Sequence, residues 1–213
     1  VAFLRRPSMQ ITDVAVTGTE ALDAQTIADG ARDILSGYYV WVVPRSNVFL
    51  FSKAHMASKL IDRFPGIESA DVAFQSRTTI TVAVHEKEPT DVWCRSGRED
   101  CYFIDAQGII YRSAPAFSDG VFTLFTGNDL TLPDDVIRAR FVGAAKFVDA
   151  KQMVARLVAF PARVFGVSFE STGDVALRLG TLRGYPVANA TILIAPEVNR
   201  DEAFRNLELL FAD

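Results

Sequence analysis

Ala70-Asp-Val-Ala-Phe-Gln-Ser-Arg-Thr-Thr-Ile-Thr-Val-Ala-Val-His85 reads as a β-hairpin and frames everything before it. Val72 and Phe74 share one face of a first strand, residues 70–75, while Ile80, Val82 and Val84 alternate with Thr79, Thr81 and Ala83 along a second, residues 78–85. Ser76-Arg77 leaves room only for a tight turn, so the two strands pair antiparallel. Upstream, Ser52 caps a helix in which Met56, Leu60 and Phe64 recur every four residues until Pro65-Gly66 stops it. The aromatic and β-branched residues 38–44 are interrupted by Pro44 and Ser46-Asn47, which predicts an extended connection between helices. Asp23 caps an earlier helix with Ile27, Ala31, Ile34 and Leu35 on one side and Gly37 as its left-handed terminator. Before that, residues 11–16 put Val14 and Val16 on one face of a short strand that runs into Thr17-Gly18-Thr19. The order through residue 88 is β-α-α-β-β.

Pro89 opens a second unit, because proline bars its predecessor from helix and donates nothing to a ladder. Residues 91–94, 101–105 and 109–112 form a predicted meander. Leu132-Pro-Asp-Asp135 places a proline and two acids where a helix begins, and Val136, Ile137, Phe141, Ala144, Ala145 and Val148 would line its apolar face. Strands resume at 163–170, turn at Ser171-Thr-Gly-Asp174, return through Leu179 and recur at 188–195. A final helix over 200–213 carries Phe204, Leu207, Leu210 and Phe211 on one stripe. The fold class expected is α+β: a β-α-α-β-β domain over 11–88, then a mixed or antiparallel β-sheet domain with flanking helices over 89–213.

The 213 residues are 49% hydrophobic and 23% charged, enough for one sizeable core or two small ones and too apolar for a disordered chain. Lys and Arg total 22 against 26 Asp and Glu, so the basic surplus of a nucleic-acid binder is missing. The longest apolar runs, within 40–43 and 160–167, fall far short of the roughly 20 residues of a membrane helix. Val1-Ala-Phe-Leu-Arg-Arg-Pro7 nevertheless reads like an apolar segment meeting polar residues, so a signal or anchor helix just upstream is expected, with 1–10 membrane-proximal.

Chemistry-bearing patterns are scarce. His55 lies early in a helix, and His85, in His-Glu-Lys-Glu88, lacks a second histidine at i+4 and has Lys87 opposing a cation. Phosphate-binding glycine patterns and Gly-x-Ser-x-Gly are absent, and Glu99-Asp100 and Asp134-Asp135 are neighbours in sequence rather than two separately tuned carboxyls. No catalytic residue, cofactor, metal or small-molecule substrate is therefore expected. Cys94 and Cys101 would face each other across a hairpin, near disulfide distance. A redox pair favours Cys-x-x-Cys and structural zinc needs four ligands, so this spacing favours a disulfide and an oxidising compartment.

Taken in order, these motifs resemble a known family. Ile11-x-x-Val14-x-Val16-x-Gly18, Phe64-Pro-x-Ile67-x-x-Ala70-x-Val72 and Thr79-Ile80-x-Val82-x-Val84-x-Glu86-x-x-Pro89 are similar to the POTRA domain of the FtsQ/DivIB cell-division proteins. Trp93, Tyr102-Phe-Ile-Asp105-x-x-Gly108-Ile-Ile-Tyr111, the strands around Gly173-Asp174 and residues 201–210 resemble that family's second, β-rich domain. The resemblance runs from about residue 9 to 211. It implies a single-pass protein of the cytoplasmic membrane whose extracytoplasmic region, at the division site, is a non-enzymatic divisome scaffold. The implied partners are FtsB-like and FtsL-like bitopic proteins and the septal peptidoglycan synthesis machinery. Family members usually continue past the last helix into one more strand that meets FtsB, and that strand is not among these residues; Cys94 and Cys101 are not general in the family.

Binding of this kind needs only an open sheet edge, whose unpaired N–H and C=O groups a partner strand completes. Two edges are candidates: the strand at 188–195, with Ile192, Leu193 and Ile194 as partner-binding residues, and the strand at 70–75, with Val72 and Phe74. The runner-up is a POTRA-bearing protein of outer-membrane or secretion assembly, and a third reading is a small extracytoplasmic hydrolase using Asp105 or Asp174. Asp105 precedes Gly108 in a turn and Asp174 follows Gly173, so both read more simply as turn residues accepting backbone hydrogen bonds.

Overall fold

A computed structural model of the chain describes residues 6–39, 43–95, 100–118, 120–127, 132–159, 163–180 and 190–210. It has an α+β fold divided into two compact units, Val1–Glu88 and Pro89–Asp213.

The first unit runs β1 (Asp13–Thr17), α1 (Ala24–Leu35), a two-residue ribbon of β2 (Tyr38–Tyr39) and β3 (Val43–Pro44), α2 (Lys53–Arg63), β4 (Ile67–Phe74) and β5 (Thr79–Glu86). Its sheet has the order β1-β5-β4, with β1 parallel and β4 antiparallel to the central strand. Both predicted caps form: the Asp23 carboxylate accepts from the Thr26 N–H at 2.8 Å, and the Ser52 hydroxyl oxygen accepts from the His55 N–H at 3.2 Å. Ile27, Ala31 and Leu35 of α1 and Met56 and Leu60 of α2 bury against Ile80, Val82 and Val84 of β5. Each of the larger side chains contributes about 1.5–3 kcal/mol on leaving water.

The second unit runs β6 (Asp91–Cys94), β7 (Cys101–Ile104), β8 (Ile110–Ser113), β9 (Thr123–Thr126), α3 (Ala144–Arg156), β10 (Val164–Phe169), β11 (Val175–Leu179), β12 (Thr191–Ile194) and α4 (Arg200–Leu210). These strands form one mixed sheet of order β12-β11-β10-β9-β6-β7-β8. Its centre is β9, parallel to both β6 and β10 and not anticipated from sequence. Phe125 of β9 sits at 0% exposure among Phe141, Phe147 and Phe169, with ring centroids 5.2–6.4 Å from its own. Trp93 stacks on Phe141 and donates from Nε1 to the Gly127 carbonyl at 3.2 Å.

The helix expected from Leu132 does not start there: α3 begins at Ala144. Asp135 does cap the backbone, accepting from the Ile137 N–H at 3.0 Å, but the chain then turns rather than winding on. Arg138 has φ 72°, a left-handed conformation that ends any helix, and its N–H donates to the Ile110 carbonyl at 2.7 Å. The Ile110 N–H donates back to Ala139 at 3.0 Å, so this segment covers part of the β8 edge. Val148, placed on the apolar face from sequence, is 46% exposed; Phe147, Ala150 and Met153 are the buried positions. Phe211 lies outside the described residues, as does the start of the strand expected at 188.

Candidate interaction edges

β4 and β12 each lie at the end of a sheet, with no strand beyond them among the described residues. In an antiparallel pair, residues alternate between hydrogen-bonding to the neighbour and presenting N–H and C=O away from it. The Leu179 N–H donates to Ala190 at 2.8 Å, and this pair is in register with Leu177↔Ile192 and Val175↔Ile194. Ile192 and Ile194 therefore pair inward with β11. Thr191 and Leu193 carry the outward-pointing backbone groups.

The side chains follow the same alternation. Ile194 is 6% exposed and lies in the core, Ile192 packs half-buried against it, and Leu193 stands 62% exposed on the other face. The three residues named from sequence thus do not form one contact surface. An incoming strand would meet the backbone of Thr191 and Leu193 and the side chain of Leu193, while Ile192 and Ile194 hold β12 to its own domain.

On β4, the Gln75 N–H donates to the Thr79 carbonyl at 3.0 Å, which makes Ala73↔Thr81 and Asp71↔Ala83 the inward pairs. Ala70, Val72 and Phe74 present outward backbone, so Val72 and Phe74 do lie at outward register positions. Val72 packs half-buried on the core, and Phe74, 40% exposed, meets Phe51 edge-on at 5.5 Å.

The structure contains the Cys94–Cys101 disulfide, with the two residues directly opposite across β6 and β7 and Cα atoms 4.1 Å apart. It borders a second apolar cluster, Val92, Phe103 and Tyr111, on which Phe117 and Phe122 pack. Burial pushes the Tyr111 hydroxyl above the usual tyrosine range.

Of the acids considered for chemistry, Asp105 serves the backbone, whereas the Asp174 carboxylate is held by a side-chain hydroxyl instead of the expected backbone N–H groups. Asp105 Oδ1 accepts from the N–H groups of Gln107 at 3.0 Å and Ile109 at 2.9 Å. Asp174 Oδ2 accepts from the Thr172 hydroxyl at 2.8 Å, beside the Gly173 turn. His85 Nε2 lies 3.5 Å from Asp71, both side chains well exposed, and His55 is exposed on α2. Among the described residues no three His, Cys, Asp or Glu side chains come together as metal ligands, and no helix is long and apolar enough to cross a membrane.

The structural roles of two carboxylates were not read from the sequence. Glu86 Oε1 accepts from the N–H groups of Glu20, Ala21 and Leu22 at 2.7, 3.0 and 2.9 Å, tying the β1–α1 connection to the end of β5. Asp91, 2% exposed, pairs with Lys151 of α3. Neither pairing can be read locally, since the partners lie more than 55 residues away. No family model matches the chain, and no curated protein matches it.

Proposed function

We propose that this chain is the extracytoplasmic region of an FtsQ/DivIB-like division scaffold, single-pass in the cytoplasmic membrane and acting at the septum. It binds FtsB-like and FtsL-like partners by strand addition and thereby helps regulate septal peptidoglycan synthesis, with no reaction of its own. The observation that carries this reading is the β12 edge, where Thr191 and Leu193 present outward backbone beside an exposed leucine. The β-α-α-β-β wiring of the first unit, with sheet order β1-β5-β4, supports it alongside the sequence resemblance.

Incoming strand and β12 would exchange up to four hydrogen bonds, each worth about 0.5–1.5 kcal/mol net, with Leu193 giving side-chain selectivity. The test is a photo-crosslinking residue at position 193 of the full-length protein in cells. Adducts with small bitopic coiled-coil proteins support the reading. Adducts only with β-barrel proteins would favour an outer-membrane or secretion assembly role. Turnover of peptidoglycan by the pure protein, abolished by Asp105→Asn, would overturn the non-enzymatic assignment.

A further inference from the structure

The first unit has a second surface that strand addition leaves unused. Among the described residues of that unit, the exposed large apolar side chains are Tyr38, Tyr39, Phe49, Leu50 and Phe74. Phe49 and Leu50, 67% and 49% exposed, are consecutive on a firmly built turn. The buried Asn47 holds it: the Leu50 and Phe51 N–H groups donate to its carbonyl at 3.1 and 3.0 Å, and the Phe49 N–H donates to its Oδ1 at 3.0 Å. The Val48 N–H donates to the Met9 carbonyl at 3.1 Å, and Met9, Val48, Phe49, Phe74 and Arg77 line one shallow depression of about 530 Å³. A preformed turn that keeps a Phe-Leu pair in water is costly unless something apolar receives it.

Its charge is as uneven as its hydrophobicity. In a chain of net charge −4, positions 34–61 contain no Asp or Glu but hold Arg45, Lys53 and Lys59. Lys53 Nζ lies 5.4 Å from the Phe74 ring centre and the Arg45 guanidinium 5.8 Å from that of Tyr39. Lys59 has Asp62 at 3.9 Å, whereas Arg45, Lys53 and Arg77 have no ion-pair partner among the described residues. Tyrosine and phenylalanine beside cations without counter-charge match the headgroup zone of a bilayer, where rings sit at the apolar boundary and cations meet phosphates.

We propose that this face of the first unit docks peripherally on an anionic lipid surface. Phe49 and Leu50 insert at the headgroup level and Lys53 and Arg77, which flank Phe74, contact lipid phosphates. A protein partner is the competing occupant, but exposed apolar tips on a turn suit a fluid surface that deforms around them, and an anionic bilayer complements Lys53 and Arg77 on either side of Phe74.

The test is flotation of the 213-residue protein with vesicles of phosphatidylcholine and phosphatidylglycerol in equal parts, against phosphatidylcholine alone. Binding is expected to the mixed vesicles only and to fall steeply with added salt. Lys53→Gln and Arg77→Gln should each weaken it about fivefold, and Phe49→Ser with Leu50→Ser at least about tenfold. These side chains are exposed, so far-UV circular dichroism should not change. In Phe49→Trp, the emission difference from the parent protein should shift to the blue on mixed vesicles. Absence of flotation, flotation that both sets of variants leave intact, or an unshifted emission difference in Phe49→Trp overturns the proposal. Lipid-free capture of a protein partner, lost in the same variants with no flotation, overturns it in favour of that partner.

Discussion

Lys151 Nζ on α3 donates to Asp91 Oδ2 at the start of β6, joining helix to sheet through a carboxylate that is 2% exposed. The lysine side chain remains 37% exposed, so the pair is half in water: the anion is desolvated and the cation is not. Removing the cation strands the anion, whereas removing both charges leaves a site that neighbouring apolar groups can fill. Lys151→Met should therefore destabilise the second unit toward the lower end of about 3–5 kcal/mol, and adding Asp91→Leu should recover part of that loss. Urea unfolding followed by near-ultraviolet circular dichroism would measure it, because the buried Trp93 and its aromatic neighbours dominate that signal. Equal destabilisation by single and double variants would show that the pair is not coupled.

The disulfide is the next separable contribution. It closes a short loop, with a sequence separation of 7 between Cys94 and Cys101, and chain-entropy reasoning gives about 2.5 kcal/mol for a loop of that size. Cys94→Ser with Cys101→Ser should lower second-unit stability by about that amount while leaving the first unit's transition in place. Calorimetry of the oxidised and double-serine proteins would check it, and two transitions shifting together would show instead that the two compact units unfold as one.

A glycine at the end of the central strand sets a stricter test. Gly127 has φ 90°, and a Cβ there would come within 2.3 Å of the Phe169 carbonyl oxygen. Its own carbonyl accepts from Trp93 Nε1, so displacement of the backbone would also cost that bond. Gly127→Ala should destabilise by more than about 2 kcal/mol, combining left-handed strain with a backbone clash. Loss below about 0.5 kcal/mol in urea titration, the range of an ordinary surface change, would contradict this packing.

What the sequence made legible follows from where each signal is stored. The β4–β5 hairpin was readable because period-two alternation and a short turn are both local, and α1 and α2 because Asp23 and Ser52 announce their first turns. β9 was not, since Thr123-Leu-Phe-Thr126 pairs parallel with strands more than 25 positions away on both sides and has no turn to mark it. α3 begins at Ala144 behind Gly143, an N-cap residue with no side chain to cap it, while Pro133 and two acids imitate a start about ten residues earlier. The true obstacle to that helix, Arg138 bonded to Ile110, is a tertiary contact. At the candidate edge, sequence located the strand, but only the register with β11 separates Leu193 from Ile192 and Ile194.

That register makes β12 testable with proline. Proline removes one N–H, which is harmless where that N–H points to solvent at an edge and disruptive where it bonds a neighbour. Leu193→Pro should therefore leave the thermal transition within a few degrees of the parent and abolish partner crosslinking from a probe at Thr191. Ile192→Pro, which breaks the bond to Leu177 and disturbs a half-buried side chain, should cost about 3 kcal/mol or more. If the two substitutions destabilise equally, the outward assignment of Leu193 is wrong; if Leu193→Pro still crosslinks, strand addition does not occur here.

The acid limb of the first unit is the last expectation, and its sign follows from the cap of α1. Asp23 accepts from the Thr26 hydroxyl at 2.5 Å and the Thr26 N–H at 2.8 Å, which hold its carboxyl below the usual aspartate range. A carboxyl lowered in the folded state binds fewer protons there than in the unfolded chain. Its stabilisation is complete above the unfolded aspartate pKa of about 3.9 and drains away as pH falls through the lower folded value. Asp23→Asn keeps an N-cap acceptor but cannot titrate. The variant should unfold less steeply than the parent as pH drops below about 4, while the two behave alike near neutrality. The parent and variant curves should thus converge on raising the pH; a separation that grows toward neutral pH would mean that the negative charge at the helix start matters more than the hydrogen bonds.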